Sequence, residues 1–115
     1  MADIVDRQSY PRRLLGSISC SANERVLYEC PAGKSTEIRH LRITSTHTGS
    51  ETIRLHHCRQ DEATSIHNAL YYDFSISAKS YVSDDNVIYL NQGERLICSA
   101  PASDRITVTA YGVET

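Results

Sequence analysis

Apolar and polar residues alternate in short runs along most of this chain, and turn residues interrupt the runs. The side chains of a β-strand point alternately to its two faces, so such runs predict strands. The clearest run covers residues 70–76, where Leu70, Tyr72, Phe74 and Ile76 share one face. The other predicted strands cover residues 13–20, 24–30, 36–46, 51–59, 81–82 continued at 87–90, 95–100 and 105–113.

Turn signals separate these runs at intervals of roughly 8–12 residues, a spacing typical of sandwiches and barrels. No run has the period of a useful amphipathic helix, although residues 63–68 are compatible with a helical turn. We therefore predict an all-β fold, an antiparallel β-sandwich of about eight strands.

Two turns, one containing Pro31 and Gly33 and the other containing Gly49, have residues that predict their backbone conformation. Pro31 has no backbone N–H and cannot continue a ladder, and Gly33 tolerates a positive φ. We expect the chain to fold back there, with the third strand antiparallel to the second. Gly49 is expected to supply the positive φ of a hairpin turn between the third and fourth strands.

The third predicted strand contains a break in its alternation. Ile38 has even parity, whereas Leu41 and Ile43 have odd parity. All three can face the core only if one extra residue is inserted between them. The sequence therefore predicts a β-bulge near Arg39 and His40.

Composition excludes several classes. The chain has 115 residues, a net charge of −2 and a pI of about 6.2. Nucleic-acid-binding domains usually show a basic patch, so no nucleic-acid partner is expected. No apolar run approaches the roughly 20 residues of a membrane helix, and residues 1–6 lack the features of a signal peptide. We expect no membrane partner, a cytoplasmic site of synthesis and four reduced cysteines.

The first twelve residues differ from the rest. Residues 1–12 are mostly polar and are interpreted as an extended N-terminal arm, with residues 13–115 forming a single β-sandwich domain. A frayed terminus is the alternative to an arm that docks on a partner or a neighbouring subunit. In the docking interpretation, Ile4, Val5 and Tyr10 are the candidate partner-binding residues.

Several residues could suggest a metal or a reaction. His56, Cys58, His67 and Cys98 are conceivable zinc ligands, and His56 and Cys58 share a strand face about 7 Å apart. Structural zinc sites usually place paired ligands on turns. A cupin-type site is disfavoured because the adjacent His56 and His57 point to opposite faces.

The acidic runs and the cysteines give no stronger signal. Residues 61–62 and 84–86 lack the alternate ligand spacing and the glycine of a calcium loop. No cysteine lies in a recognisable nucleophile motif. We therefore expect no metal site, no cofactor and no enzymatic activity.

Several fragments together resemble a family of small virion proteins from tailed bacteriophages. The similarity covers residues 26–114 and rests on Leu27-Tyr28 with Pro31-Ala32-Gly33-Lys34, Ile38, Leu41-Arg42-Ile43, Leu70-Tyr71, Leu90-Asn91-Gln92-Gly93-Glu94-Arg95-Leu96 and Val108-Thr109-Ala110-Tyr111-Gly112-Val113-Glu114. The resemblance implies a jelly-roll-like sandwich with a structural role on the virion, assembled in the host cytoplasm.

Within that family, two positions on the particle are possible. One is a capsid cement or decoration protein, often a homotrimer, that stabilises the shell by binding major capsid subunits. The other is a tail, neck or fibre accessory protein, with tail proteins as partners. Jelly rolls also host lectins, so Tyr71 and Tyr72 could stack on a carbohydrate; core or interface packing is the alternative for both rings.

Overall fold

The computed structural model describes residues 13–115, which form two antiparallel sheets packed face to face. Nine strands occur in this range: β1 (Arg13–Ser19), β2 (Arg25–Glu29), β3 (Thr36–Ser45), β4 (Glu51–Cys58), β5 (Ala69–Ile76), β6 (Tyr81–Asp84), β7 (Ile88–Leu90), β8 (Arg95–Ser99) and β9 (Ile106–Glu114). The predicted helical turn is a short 3-10 helix, Ile66–Asn68. No helix in residues 13–115 has the length and hydropathy to cross a bilayer.

The strand order is that of a jelly roll. The first sheet has the order β1-β9-β3-β6, with β7 also paired to β3, and the second has the order β2-β8-β4-β5. Strands β6 and β7 pair with successive parts of β3, so they form two halves of one interrupted strand. Counted in this way, eight strands make two four-stranded sheets, as in a jelly roll. The predicted all-β, jelly-roll-like sandwich is confirmed.

The turn at residues 31–34 joins strands that belong to different sheets. Gly33 has the expected positive φ of 74°, and the Lys34 amide donates to the Pro31 carbonyl at 3.2 Å. However, β2 pairs with β8 in the second sheet, whereas β3 lies in the first. The connection from β3 to β4 also crosses between sheets, and Gly49 does not adopt a positive φ. The residues of the turn specify that the chain reverses direction. Which strand the next segment pairs with depends on how the two sheets pack on their common core.

The predicted bulge in β3 is confirmed. The register between β3 and β9 shifts between Ile38 and His40, which leaves Arg39 as the extra residue. As a result Ile38, Leu41 and Ile43 all point into the core, where each is at most 1% exposed. The shift also places Gly112 of β9 opposite Ile38.

The loop between β4 and β5 folds over the outer face of the second sheet. Arg95 donates from Nη2 to the Glu62 carbonyl at 2.6 Å, and the Thr64 hydroxyl donates to the Glu24 carboxylate. Farther along the loop, Asn68 Oδ1 lies 2.9 Å from His56 Nδ1. Because this loop covers the face, side chains that point away from the core are nevertheless buried, among them His56, Cys58 and Ile97.

Candidate docking surface

Exposed apolar side chains are concentrated on one side of the sandwich. Nine large apolar side chains in the described part of the chain are exposed, and six of them belong to β5 and to the β6–β7 segment. Strand β5 is one edge of the second sheet, and β6 and β7 form one edge of the first. We call this surface the aromatic side and define it by Leu70, Tyr72, Phe74, Tyr81, Val87 and Tyr89.

A hydrogen bond between side chains ties these two edges together. The Tyr71 hydroxyl donates to the Asp84 carboxylate, and the Tyr71 and Phe74 rings lie 5.2 Å apart. Burial and this bond raise the pKa of Tyr71. Burial alone would raise the pKa of Asp84, but the bonds from Tyr71 and from the Asn86 amide, at 2.9 Å, outweigh it and lower that pKa. The bonded pair fixes the β5 edge against the β6 edge.

The predicted common face of residues 70–76 is split by a bulge in β5. Asp73 has a φ of 54°, and the register with β4 shifts beside it. Before the bulge, Leu70 and Tyr72 point outward and are 41% and 47% exposed. After it, Phe74 pairs with a fully buried residue of β4 and Ile76 enters the core. The even-numbered side chains of β5 therefore face the surface before the bulge and the core after it.

A charged pair surrounds the Tyr72 ring. The Arg54 guanidinium lies 4.2 Å from the ring centroid and binds Asp73 through two bonds, of 2.6 and 3.1 Å. The bond from Arg54 lowers the pKa of Asp73. One face of Tyr72 is thus occupied by a cation, and Tyr71 points to the opposite side of β5. The two tyrosines do not form the continuous stacking platform that their adjacency in sequence suggested.

The other half of the aromatic side lies on the outer face of the first sheet. Tyr81 pairs with Thr44 and Tyr89 pairs with Glu37, positions that point away from the core. Tyr81 is 56% exposed with the Arg42 guanidinium 3.9 Å above its ring, and Tyr89 is 68% exposed. Tyrosine buries a large area at low entropic cost and is enriched at protein interfaces. The composition of the aromatic side therefore resembles that of protein interfaces.

The structure separates the zinc candidates. His56 and Cys58 share the outer face of the second sheet, as predicted, but His56 is bonded to Asn68. Cys98 lies in the core on the inner face, and His67 is exposed in the 3-10 helix. Within residues 13–115, no three His, Cys, Asp or Glu side chains are grouped to hold a metal ion.

The remaining candidates have structural partners or lie elsewhere. His57 Nε2 lies 2.7 Å from the Glu94 carboxylate. Burial tends to raise the pKa of Glu94, but bonds from His57 and the backbone outweigh it, and that pKa is lowered. The predicted partner-binding residues Ile4, Val5 and Tyr10 lie outside the described residues. The aromatic side was not predicted, because recognising it requires knowing which strands lie at the edges of the sheets.

Comparison with known proteins gives a structural likeness. No protein-family model matches the chain, and no curated protein matches it. Among solved structures, the chain is similar to a chain in the structure of infectious bursal disease virus, Gx strain, with a TM-score of 0.43 and 13% sequence identity. The match covers 90% of this chain and 30% of that chain, so this protein spans less than a third of its structural neighbour.

Proposed function

We propose that this chain is a structural protein of a tailed-bacteriophage virion, and specifically a capsid cement protein that stabilises the shell by binding adjacent major capsid subunits. The observation that carries the proposal is the aromatic side, a fixed surface of exposed tyrosine, phenylalanine and aliphatic side chains at two adjoining sheet edges. The resemblance over residues 26–114 supports the type of particle.

The chemistry of the aromatic side suits a partner protein. Tyrosine and phenylalanine are enriched in interface cores, whereas charged residues usually form the rim. Here the rings of Tyr72 and Tyr81 are each flanked by a cation, Arg54 and Arg42 respectively, so each ring combines an apolar face with a charged neighbour. Because the Tyr71 bond already orders this edge, docking costs little further conformational entropy.

We propose that the protein assembles as a homotrimer through two different surfaces. Strand β1, from which the arm extends, is an edge of the first sheet, and the aromatic side lies at the other edge. A contact of Ile4, Val5 or Tyr10 of one copy with the aromatic side of the next would join two different surfaces. Such heterologous contacts form a ring when the rotation between copies closes, and a fully extended arm of twelve residues reaches up to about 40 Å.

The docking proposal is tested by co-sedimentation with expanded phage shells that lack this protein. We expect the wild type to bind and Tyr89→Ser to bind at least about tenfold more weakly, since a central aromatic anchor contributes more than about 1.4 kcal/mol. Val26→Ser is the matched control, because Val26 is an exposed apolar residue on the opposite edge. Absence of wild-type binding, or equal weakening by both variants, contradicts the proposal.

The role of the arm is tested separately by light scattering. Wild type is expected as a trimer, and a variant with Ile4, Val5 and Tyr10 changed to serine as a monomer with an unchanged melting temperature. A wild-type monomer, or a trimer that survives these substitutions, overturns the assignment of the arm without affecting the shell-binding result.

A second candidate is a tail, neck or fibre protein with a carbohydrate-binding surface. A cavity of about 220 Å³ lies beside the Arg54–Asp73 pair, with Thr52 and Ser99 also in its wall. Glycan-array binding by the wild type, lost in Asp73→Asn, would favour this candidate. Asparagine is chosen because it tolerates the positive φ at residue 73. A wild type that binds no glycan counts against it.

A further inference from the structure

Two of the four cysteines are neighbours across the sandwich. Cys20 follows β1 of the first sheet, and Cys98 belongs to β8 of the second; both are 0% exposed and belong to the same core cluster. Around them, the chain after β1 is bonded to the residue that follows β8, since the Ala100 amide donates to the Ser21 carbonyl at 2.9 Å. The two side chains therefore lie in the same part of the core, on stretches of backbone that are bonded to each other.

A third residue fixes the same geometry. Arg25 pairs with Cys98 in the β2–β8 ladder, and its guanidinium donates to the Ser19 carbonyl, immediately before Cys20, at 3.1 Å. The backbones on both sides of the thiol pair are thus held by independent bonds.

The pair is asymmetric in its chemistry. Interaction with the neighbouring Cys98 thiol and burial raise the pKa of Cys20, while interaction with Cys20 lowers the pKa of Cys98. Cys98 is consequently the thiol that loses its proton first. A thiolate next to a second thiol is the arrangement from which disulfides form.

The other two cysteines have different surroundings. Cys30 donates to the Lys34 carbonyl and accepts from the Thr36 hydroxyl, each at 3.3 Å. Cys58 lies on the outer face of the second sheet beneath the β4–β5 loop, where burial raises its pKa. These two cysteines are internal controls.

We propose that Cys20 and Cys98 form a disulfide that joins the two sheets when the protein meets a low-molecular-weight disulfide oxidant. The Cys98 thiolate attacks one sulfur of the oxidant, breaks its S–S bond and releases one small thiolate. Cys20 then loses its proton, and its thiolate attacks the Cys98 sulfur of the mixed disulfide and releases the second small thiolate. Two electrons pass to the oxidant, and its two thiolates take up two protons.

Access to the buried pair is provided by local opening. The turn after Cys20 exposes Ala22 and Asn23, so the end of the sandwich has solvent on one side. Opening of such ends requires less free energy than global unfolding. The disulfide would close a loop from β1 to β8, and long loops give the largest constraint on the unfolded chain. This inference does not depend on the virion role.

The test uses mass spectrometry, because trypsin places the four cysteines in separate peptides, residues 14–25, 26–34, 55–59 and 96–105. The full chain is treated with cystamine, both folded and during refolding from denaturant, and remaining thiols are then alkylated in denaturant. We expect alkylation of two cysteines, a linked pair of peptides 14–25 and 96–105, and a melting temperature about 5–15 °C higher than that of the reduced protein.

Cysteine variants test which pair of thiols is linked. A Cys30→Ser, Cys58→Ser double variant is expected to keep the linked peptide and the higher melting temperature, whereas Cys98→Ala loses both. Four alkylated cysteines after oxidative refolding, a link between any other pair, or a linked protein that melts no higher than the reduced one would each overturn the proposal. The first two readings come from the wild type, so they stand even if a variant fails to fold.

Discussion

Replacement of Gly112 by alanine should severely destabilise the sandwich. Gly112 lies in β9 opposite Ile38, where the bulge at Arg39 brings β3 close. A Cβ built on Gly112 would lie 2.0 Å from the Glu37 carbonyl oxygen and 3.0 Å from the Ile38 Cα, both backbone atoms. Relief of that overlap requires β3 and β9 to separate by about an ångström or more, since ordinary contacts are about 3.5 Å.

The size of the destabilisation can be estimated from the disruption of the β3–β9 ladder. Overpacking of a core by side chains alone costs about 1–3 kcal/mol. Here the obstacle is backbone, and each interstrand hydrogen bond lost adds about 1 kcal/mol. We therefore expect Gly112→Ala to lower the free energy of unfolding by at least about 3 kcal/mol, a large part of the 5–15 kcal/mol typical of a domain. The melting temperature should fall by about 10 °C or more.

The matched control is Gly49→Ala. A Cβ at Gly49 meets only the His47 ring, at 3.6 Å, and the residue has no positive φ. Alanine there should change stability by less than about 1 kcal/mol, in the stabilising direction, because it restricts the unfolded chain. Both variants are measured by urea denaturation. If Gly112→Ala is as stable as wild type, the close approach of β3 and β9 is wrong, and so is the account of the bulge.

Three further outcomes are expected. Leu55→Ala, at a fully buried position, should lower the urea-unfolding free energy by about 2–5 kcal/mol. Burial and the bond to a carboxylate raise the pKa of Tyr28 and Tyr71, so stability present below the pKa of an unfolded tyrosine, about 10, should be lost as pH rises above it. Tyr71→Phe should lose less stability than the wild type as pH rises above about 10. The lowered pKa values of Asp84 and Glu94 predict stability that is lost as pH falls below about 4, measured by melting at acid pH.

Much of the fold could be predicted from local pattern. The strand runs, the interrupted strand around residues 83–87 and the extra residue at Arg39 all follow from the two-residue period, because each buried side chain must fall on the core face. The Arg39 bulge is the clearest case, since only an insertion lets both Ile38 and Leu41 face inward, and both are buried.

The pairing of strands could not be predicted in the same way. The turn at Gly33 has the expected φ, yet β2 and β3 belong to different sheets. A reversal that starts a hairpin and one that crosses between sheets use the same proline and glycine. In β5, apolar and polar residues alternate without a break in the sequence, yet the bulge at Asp73 turns the first part of the apolar face to the surface and the second part to the core. A single aspartate in such a run does not indicate a bulge.

The way this sandwich ends at its edges argues for docking through side chains. A jelly roll leaves edge strands open to pairing with another chain, and bulges and short strands are the usual protection. On the aromatic side, β5 carries the Asp73 bulge, and the adjoining edge of the first sheet is divided into β6 and β7, of four and three residues. Backbone pairing with another strand is disfavoured there, whereas Tyr72, Tyr81 and Tyr89 remain exposed. The proposed partner would therefore be recognised by its fit to these rings, and single substitutions such as Tyr89→Ser are informative for that reason.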